Sequence, residues 1–445
     1  MSTVTAPEWQ TQSPVQAAQR RTVRVLIFTQ IVGGVGVGAA ASIGALLAES
    51  VTNSETYAGL ARTSSTLGAA VVGLPLALLA MRRGRRGALA LGWALAAAGG
   101  IVLVVAAATE NIVLLVLGML MFGSGSATNL QSRYAAADLA SPAHRARALS
   151  VVVWSTTVGA VVGPNLAGPG AKVSAAFNLP KLAGGFIISS ACLFVAAAIL
   201  WVWLRPDPLL LARKHEADEA AAADPLAAAL PTKGVKMGEV VRHIASLPMA
   251  RFAFVAVVLG HTVMGAVMTM TPVEMVNHGA SLTVVGFTIS MHVVGMYAFS
   301  PVVGWLADRI GRITVVLIGQ GIFIASALFA GLSRGSVAPV TIGLFLLGLG
   351  WSFSLVAGSA MLGEAVSQRL RPAVQGTADT TMNVVSAIAA GVAGPALATI
   401  GFGGLNVLAG ILVIPVVLLA PSVIFLGGGT PGGGRPRFVR PAAAA

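Results

Sequence analysis

The chain has 445 residues, 56% of them hydrophobic and only 10% charged, with a mean hydropathy of +0.86. So few charges cannot cover a water-soluble domain of this size, so the solvent of most of the chain has to be lipid. The formal net charge of +13 does not point to nucleic acid, because the basic residues sit in short tracts between apolar runs and not on one polar domain.

Residues 1–24 read as a cytoplasmic N-terminal tail, with 1–19 expected to be disordered. Arg20, Arg21 and Arg24 then precede an apolar segment, 25–48. At about 1.5 Å per residue that segment crosses a bilayer, whereas the apolar core of a cleavable signal is about half as long, so no signal peptide is expected. Eleven more spanning segments follow: 57–80, 88–109, 112–132, 148–168, 182–204, 252–276, 283–307, 313–333, 337–362, 373–400 and 404–426. The polar stretch 205–251 is a cytoplasmic central loop that separates six-segment halves at 25–204 and 252–426, and 427–445 is a cytoplasmic C-terminal tail. Within the loop, 217–231 is expected to be flexible, and 238–251 to form a surface helix with Val240, Val241, Ile244 and Leu247 on one side.

Charge fixes the orientation. With the N-terminus inside, 24 of the 28 Lys and Arg fall on inside connections, and only Arg62, Lys172, Lys181 and Arg334 fall outside. The bias alternates through all twelve segments and predicts both termini in the cytoplasm of a multi-pass inner-membrane protein. Arg62 has Glu49 or Glu55 as possible outer partners. The lone Cys192 lies in an apolar run, which excludes disulfides and thiolate metal clusters.

The eighth segment ends Gly304-Trp305-Leu306-Ala307-Asp308-Arg309-Ile310-Gly311-Arg312. An Asp here can accept hydrogen bonds from a neighbouring helix N-terminus, the arginines face anionic headgroups, and Gly311 lets the chain reverse. The pattern G-x3-D-R-x-G-R resembles the loop signature of the major facilitator superfamily. The resemblance implies an all-α integral membrane fold of twelve helices in two pseudo-symmetric halves. It also implies secondary transport by alternating access around a midplane site lined mainly by segments 1, 4, 7 and 10.

The halves echo each other. Met81-Arg82-Arg83-Gly84-Arg85-Arg86 follows segment 2 as the Asp308 turn follows segment 8, with Met81 where the signature has Asp. Gly159-x3-Gly163-Pro164 in segment 5, similar to the superfamily's antiporter motif, is answered by Gly391-x2-Gly394-Pro395 in segment 11. Small residues at this spacing make a smooth face for a partner helix, and Pro164 bends its own. Gly33, Gly34, Gly36 and Gly38 in segment 1 read as packing and not as a phosphate loop, since no strand precedes them. Segment 4 carries Gly123-Ser124-Gly125 but has Met119 where the superfamily's drug/proton antiporters place Arg, which counts against that group. The gating set expected from these patterns is Arg82, Arg145, Arg147, Gly163, Pro164, Gly304, Asp308, Arg309, Gly311 and Arg312. In particular, Asp308 is expected to latch onto Arg145, Arg147 or the start of segment 5.

The candidate substrate or proton path is His261, Met264, Met268, Glu274, His292, Met296, Asp379 and Asn383. His261, Met264 and Met268 share one helical face, and six of the 14 Met lie between 264 and 296. Thioether and imidazole are soft donors suited to Cu(I). The order Met264-x3-Met268 then His292-x3-Met296 resembles the bacterial copper importers of cytochrome oxidase assembly, which implies those four as metal-handling residues; the wider clade is associated with riboflavin-type vitamins. A Met-lined cavity or plain packing is the other reading. Asp379 lies in a stripe with Gln375 and Asn383, as a proton-coupling carboxylate or as a partner of Arg369 or Arg371. Glu274 sits at the outer mouth, and His261 is the better proton relay. No enzymatic motif, nucleotide loop or cofactor site is expected. The favoured reading is proton-coupled export of a small organic compound, with Cu(I) import or vitamin transport as alternatives.

Overall fold

The computed structural model describes residues 7–52, 58–163, 167–223 and 237–426. Pro164, Glu55, the side chains of Glu49 and Arg62, and the tail 427–445 lie outside the described residues.

The described residues are almost entirely helical. The first half comprises α1 (Glu8–Thr11), α2 (Ser13–Thr52), α3 (Ala58–Thr109), α4 (Ile112–Ala137), α5 (Arg145–Val162), α6 (Ala167–Ala176) and α7 (Ala183–Trp203). Two helices, α8 (Pro208–Ala223) and α9 (Met237–Ser246), belong to the central loop. The second half comprises α10 (Pro248–Asn277), α11 (Leu282–Tyr297), α12 (Ser300–Ile310), α13 (Arg312–Gly331), α14 (Val337–Glu364), α15 (Arg371–Ile411) and α16 (Ile414–Leu426).

Eight described stretches are long and apolar enough to cross a membrane. Two of them, Thr63–Thr109 and Arg371–Ile424, each hold two predicted segments, and glycine explains why. α3 folds back at Gly84 (φ +82°) and α15 at Gly401 (φ +70°), backbone angles that L side chains rarely adopt. Segment 8 is divided before Pro301, where α11 gives way to α12. Large apolar side chains such as Val113, Phe194 and Leu418 remain exposed, as lipid-facing residues must.

One apolar core lies inside the first half, around Trp93, Phe122 and Phe186, and another inside the second, around Trp351, Phe323 and Met382. A third joins the halves where the arginines cluster, bringing Tyr134, Ala146 and Leu149 against Ala357, Ala360 and Val374. This arginine-rich end is called the basic face below.

Two expectations of disorder are corrected. The chain is helical from Glu8 onward, because Trp9 is buried with Val15 and Ala18 against Leu139 and Ala212, and its ring stacks on His215 at 5.2 Å. Residues 217–223 likewise belong to α8. In α9, Val240 and Ile244 face inward while Val241 is exposed, so the apolar side is narrower than expected.

Candidate functional site

On the basic face the turn between α12 and α13 reaches across to the other half. Gly311 takes φ +94°, which reverses the chain after Asp308. The Asp308 carboxylate accepts from the backbone N–H of Ala146 (3.1 Å) and of Arg147 (2.9 Å), the first turn of α5. A carboxylate placed there satisfies donors that have no intrahelical acceptor and complements the helix dipole. Close approach is possible because Gly304 has no Cβ; one would collide with Ser150. Arg312 donates to the Pro142 carbonyl (2.5 Å) and pairs with Glu364 and Asp308, while Arg145 lies 3.3 Å from Glu364. Arg147 and Arg309 have exposed side chains; only the backbone of Arg147 takes part, and Arg309 lies over the Trp305 ring at 5.1 Å.

The equivalent turn of the first half is built differently. Gly84 holds the place of Gly311, and Arg85 that of Arg312. Arg85 is buried and forks onto Asp138 (2.8 and 3.3 Å), then reaches across to Gln375 (2.7 Å) on α15. Arg82, expected as the gating residue here, is exposed, so the role in this contact falls to Arg85. Met81 offers no side-chain acceptor, and the central loop fills in. Asp207 accepts from Arg86 N–H (2.8 Å), and Arg213 of α8 donates to the carbonyls of Met81 (2.6 Å), Gln368 (3.4 Å) and Arg369 (3.5 Å).

Deeper in, Arg133 of α4 donates to Asp379 of α15 at 2.6 Å, both nearly inaccessible to solvent. Tyr134 Oη donates to the same carboxylate oxygen (3.1 Å), and Arg133 also donates to Ser359 (3.1 Å). This corrects the expected partners. Arg369 pairs with Glu239 instead, and Arg371 is not the partner of Asp379. Asn383 donates to the Asp379 carbonyl (2.8 Å), holding the helix around it. With the fourth segment ending at 132, Arg133 falls among the loop cations. The signal against that reading is the small-residue run Ala135-Ala136-Ala137 after it, which carries α4 onward as a buried helix.

Arg133 also lines a cavity between the halves. Gln30, Asn129 and Thr156 face it from one side, Tyr297 and Trp351 from the other. It holds about 10 Å³, room for about one water, so the halves are pinched together at this level. Gln30 donates its amide N–H to the Asn129 carbonyl (3.2 Å) and to Thr156 (3.4 Å), which leaves its buried oxygen without a partner among the described residues. Trp351 packs edge-on against Tyr297 at 5.6 Å and donates its indole N–H to His261 (2.8 Å).

Comparison with known proteins agrees with this two-half arrangement. Residues 26–276 and 253–443 match the Major Facilitator Superfamily, one match for each half. The chain belongs to the major facilitator superfamily. It is 36% identical to YddS, an MFS-type transporter of Bacillus subtilis (strain 168), over 93% of both chains. It is 28% identical to the riboflavin transporter RfnT of Brucella anthropi, over 92% of this chain and 96% of the other. Among solved structures it superposes on the human organic anion transporter MFSD10 with a TM-score of 0.71 at 16% identity, covering 90% of this chain and 99% of that one. The proton:xylose symporter XylE superposes with a TM-score of 0.68 at 14% identity, covering 92% and 96%. At these identities the structural likeness carries the fold alone.

Within this superfamily fold the remaining predicted residues fall as follows. Gly159 of α5 and Gly163, which caps it, pack on Gly34 and Gly38 of α2, so the two glycine runs meet each other; a Cβ on Gly159 would collide with the Gly34 backbone. Their presumed echo does not behave alike, since a Cβ on Gly391 would meet nothing within 4 Å and one on Gly394 only Met270 at 4.0 Å. Met264 and Met296 are buried in the second-half core, with Met268 packed against it. His292 is fully buried, its Nδ1 2.8 Å from the Leu344 carbonyl. A carbonyl can only accept, so that nitrogen carries the proton and Nε2 is an unpartnered lone pair among the described residues. Glu274 pairs with His278 at 3.4 Å.

Proposed function

We propose that the protein is a proton-coupled transporter of a small, uncharged, planar organic solute, with the basic face in the cytoplasm and the Arg133 cavity as its site. One observation carries the reading: Arg133 lines that cavity and also pairs with Asp379 across the halves. Substrate binding and the inter-half pair therefore share one cation. Separating the halves at this face breaks the pair, and removing one partner of a buried pair costs about 3–5 kcal/mol. A proton on Asp379 takes away most of that cost, so protonation and opening are linked through one residue.

The solute class follows from the lining. The charge of Arg133 is already matched by Asp379, so the pocket has no spare cation for an anion. Tyr297 and Trp351 offer aromatic surfaces, and the free oxygen of Gln30 accepts from a ligand N–H or O–H. A flavin or another heteroaromatic with an imide edge has this chemistry, in keeping with the riboflavin relative. The expected direction is export.

Transport into proteoliposomes of a labelled heteroaromatic panel, riboflavin included, under imposed pH gradients tests all three points. Export by proton exchange gives accumulation in inside-out vesicles with an acid lumen, and Asp379→Asn abolishes the gradient drive while leaving solute exchange. Gradient-driven accumulation by Asp379→Asn equal to wild type would overturn the coupling.

A second reading, Cu(I) uptake, is favoured by the Nε2 of His292, unpartnered among the described residues and one helical turn from the buried Met296, since an imidazole anchored through its other nitrogen is the usual metal ligand. Radiocopper uptake unaffected by Met264→Ala together with His292→Ala would remove it.

A further inference from the structure

On the outside of the bundle, away from the transport pathway, a cleft of about 380 Å³ opens between α2 and the end of α7. Its lining is Arg21, Arg24, Val25, Phe28 and Trp203. We infer that this cleft binds one anionic phospholipid from the leaflet at the basic face, with the phosphate on Arg21 and Arg24 and an acyl chain along Phe28.

Three observations place a headgroup here. Arg21 and Arg24 are three residues apart on α2, hence one face, and both are exposed. Arg21 Nε donates to the Trp203 carbonyl (3.3 Å), which holds its guanidinium in the cleft. Among the described residues no carboxylate pairs with either arginine, so the cleft carries two unmatched cations, the complement of an anionic phosphate diester whose glycerol headgroup is itself uncharged.

The depth is set by aromatics. α7 ends in Trp201-Val202-Trp203, all about half exposed, and tryptophans at a helix end mark the headgroup layer. Arg86 lies over the Trp201 ring at 4.9 Å, which continues the basic rim. Phe28 is one turn deeper than Arg24 on the same face and 61% exposed, so an apolar wall continues below the arginines where a chain would run. Arg83 and Arg242 are exposed arginines of the basic face that do not line this cleft.

The inference is independent of the transported solute. The full-length protein in detergent is titrated with phosphatidylglycerol, phosphatidylcholine and glycerol phosphate, and bound lipid is counted by native mass spectrometry. Wild type is expected to bind one phosphatidylglycerol about thirty-fold more tightly than Arg21→Gln/Arg24→Gln, from two arginines near an anionic headgroup. Arg21→Lys/Arg24→Lys is expected to keep part of that preference, and Phe28→Ser to weaken the two-chain lipid only. Arg83→Gln/Arg242→Gln removes the same charge elsewhere and is expected to leave binding unchanged. Equal loss in both Gln pairs would reduce the effect to general surface charge and overturn the site. So would saturation of the site by glycerol phosphate as tightly as by the lipid, which would reassign it to a soluble anion.

Discussion

Replacing Asp308 by Asn keeps the shape of the turn and removes its charge. In the native contact two backbone N–H groups, 3.1 and 2.9 Å away, donate to the two carboxylate oxygens. Hydrogen bonds to a charged group contribute about 1.5–3 kcal/mol each, and the dipole of α5 adds a fraction of a kcal/mol. Asn can accept only one of the two bonds, and its amide nitrogen faces the other N–H donor to donor. The expected loss is therefore about 2–3 kcal/mol, all of it taken from the state in which the basic face is closed, since the contact joins the halves. At about 1.4 kcal/mol per tenfold, the open population rises about thirty- to one-hundred-and-fifty-fold. The assay is maleimide labelling of Leu362→Cys, a residue sealed at the end of α14, in a Cys192→Ser background that removes the only native thiol. Labelling rate follows the open population. Equal rates with and without Asp308→Asn, in protein of unchanged melting temperature, would refute the reasoning.

Gly159→Leu is expected to lower the melting temperature by several degrees, overpacking costing about 1–3 kcal/mol, whereas Gly391→Leu, into open space, leaves it unchanged; thermal melts in detergent decide. Gly84→Ala and Gly311→Ala both strain a positive φ, by about 1–3 kcal/mol, but only at Gly84 does the new methyl also strike Asp207, so Gly84→Ala is expected to be the less stable. Arg213→Ala is expected to speed labelling of the basic face, and Met81→Asp to cancel most of that effect by giving α3 its own carboxylate; a double-mutant cycle that is additive would show the two do not share a task.

Some of this arrangement was legible in the sequence because it is local. Hydropathy marks the spans, and the carboxylate, the arginines and Gly311 lie within one turn, so the geometry that sends Asp308 to a helix N-terminus is written in five consecutive residues. Asp379 shows the opposite case. Its partner is 246 residues away, while Arg369 and Arg371 lie near it in the sequence and compete on paper. Only the packing of α4 against the second half, and the diversion of Arg369 to Glu239, decides between them. The glycine runs mislead for a related reason. Spacing shows that a helix can be approached closely, and Gly159 is approached while Gly391 is not. The N-terminal helix is not legible in the sequence because its burial depends on Ala212 and His215 of α8, about 200 residues on in the central loop, where no helix is expected before residue 238.

The two halves repeat one charge pattern and differ at one point. Arg85 with Asp138 corresponds to Arg312 with Glu364, and Ala77 against Gly376 corresponds to Gly304 against Ser150. At the next turn along each helix the equivalence fails, with Asp308 in one half and Met81 in the other. The second-half turn carries its own anchor, so its grip on α5 is intrinsic to the bundle. The first-half turn reaches α15 through Arg85 and Gln375, and its backbone is tied to the loop before α15 through Arg213, which belongs to α8 and holds carbonyls of both halves at once. A contact made by a separate helix can be released by moving that helix, without first straining either bundle. The central loop, which topology alone treats as a connector, is thus a structural member of the basic-face seal, and the side it serves is the one that lacks the carboxylate.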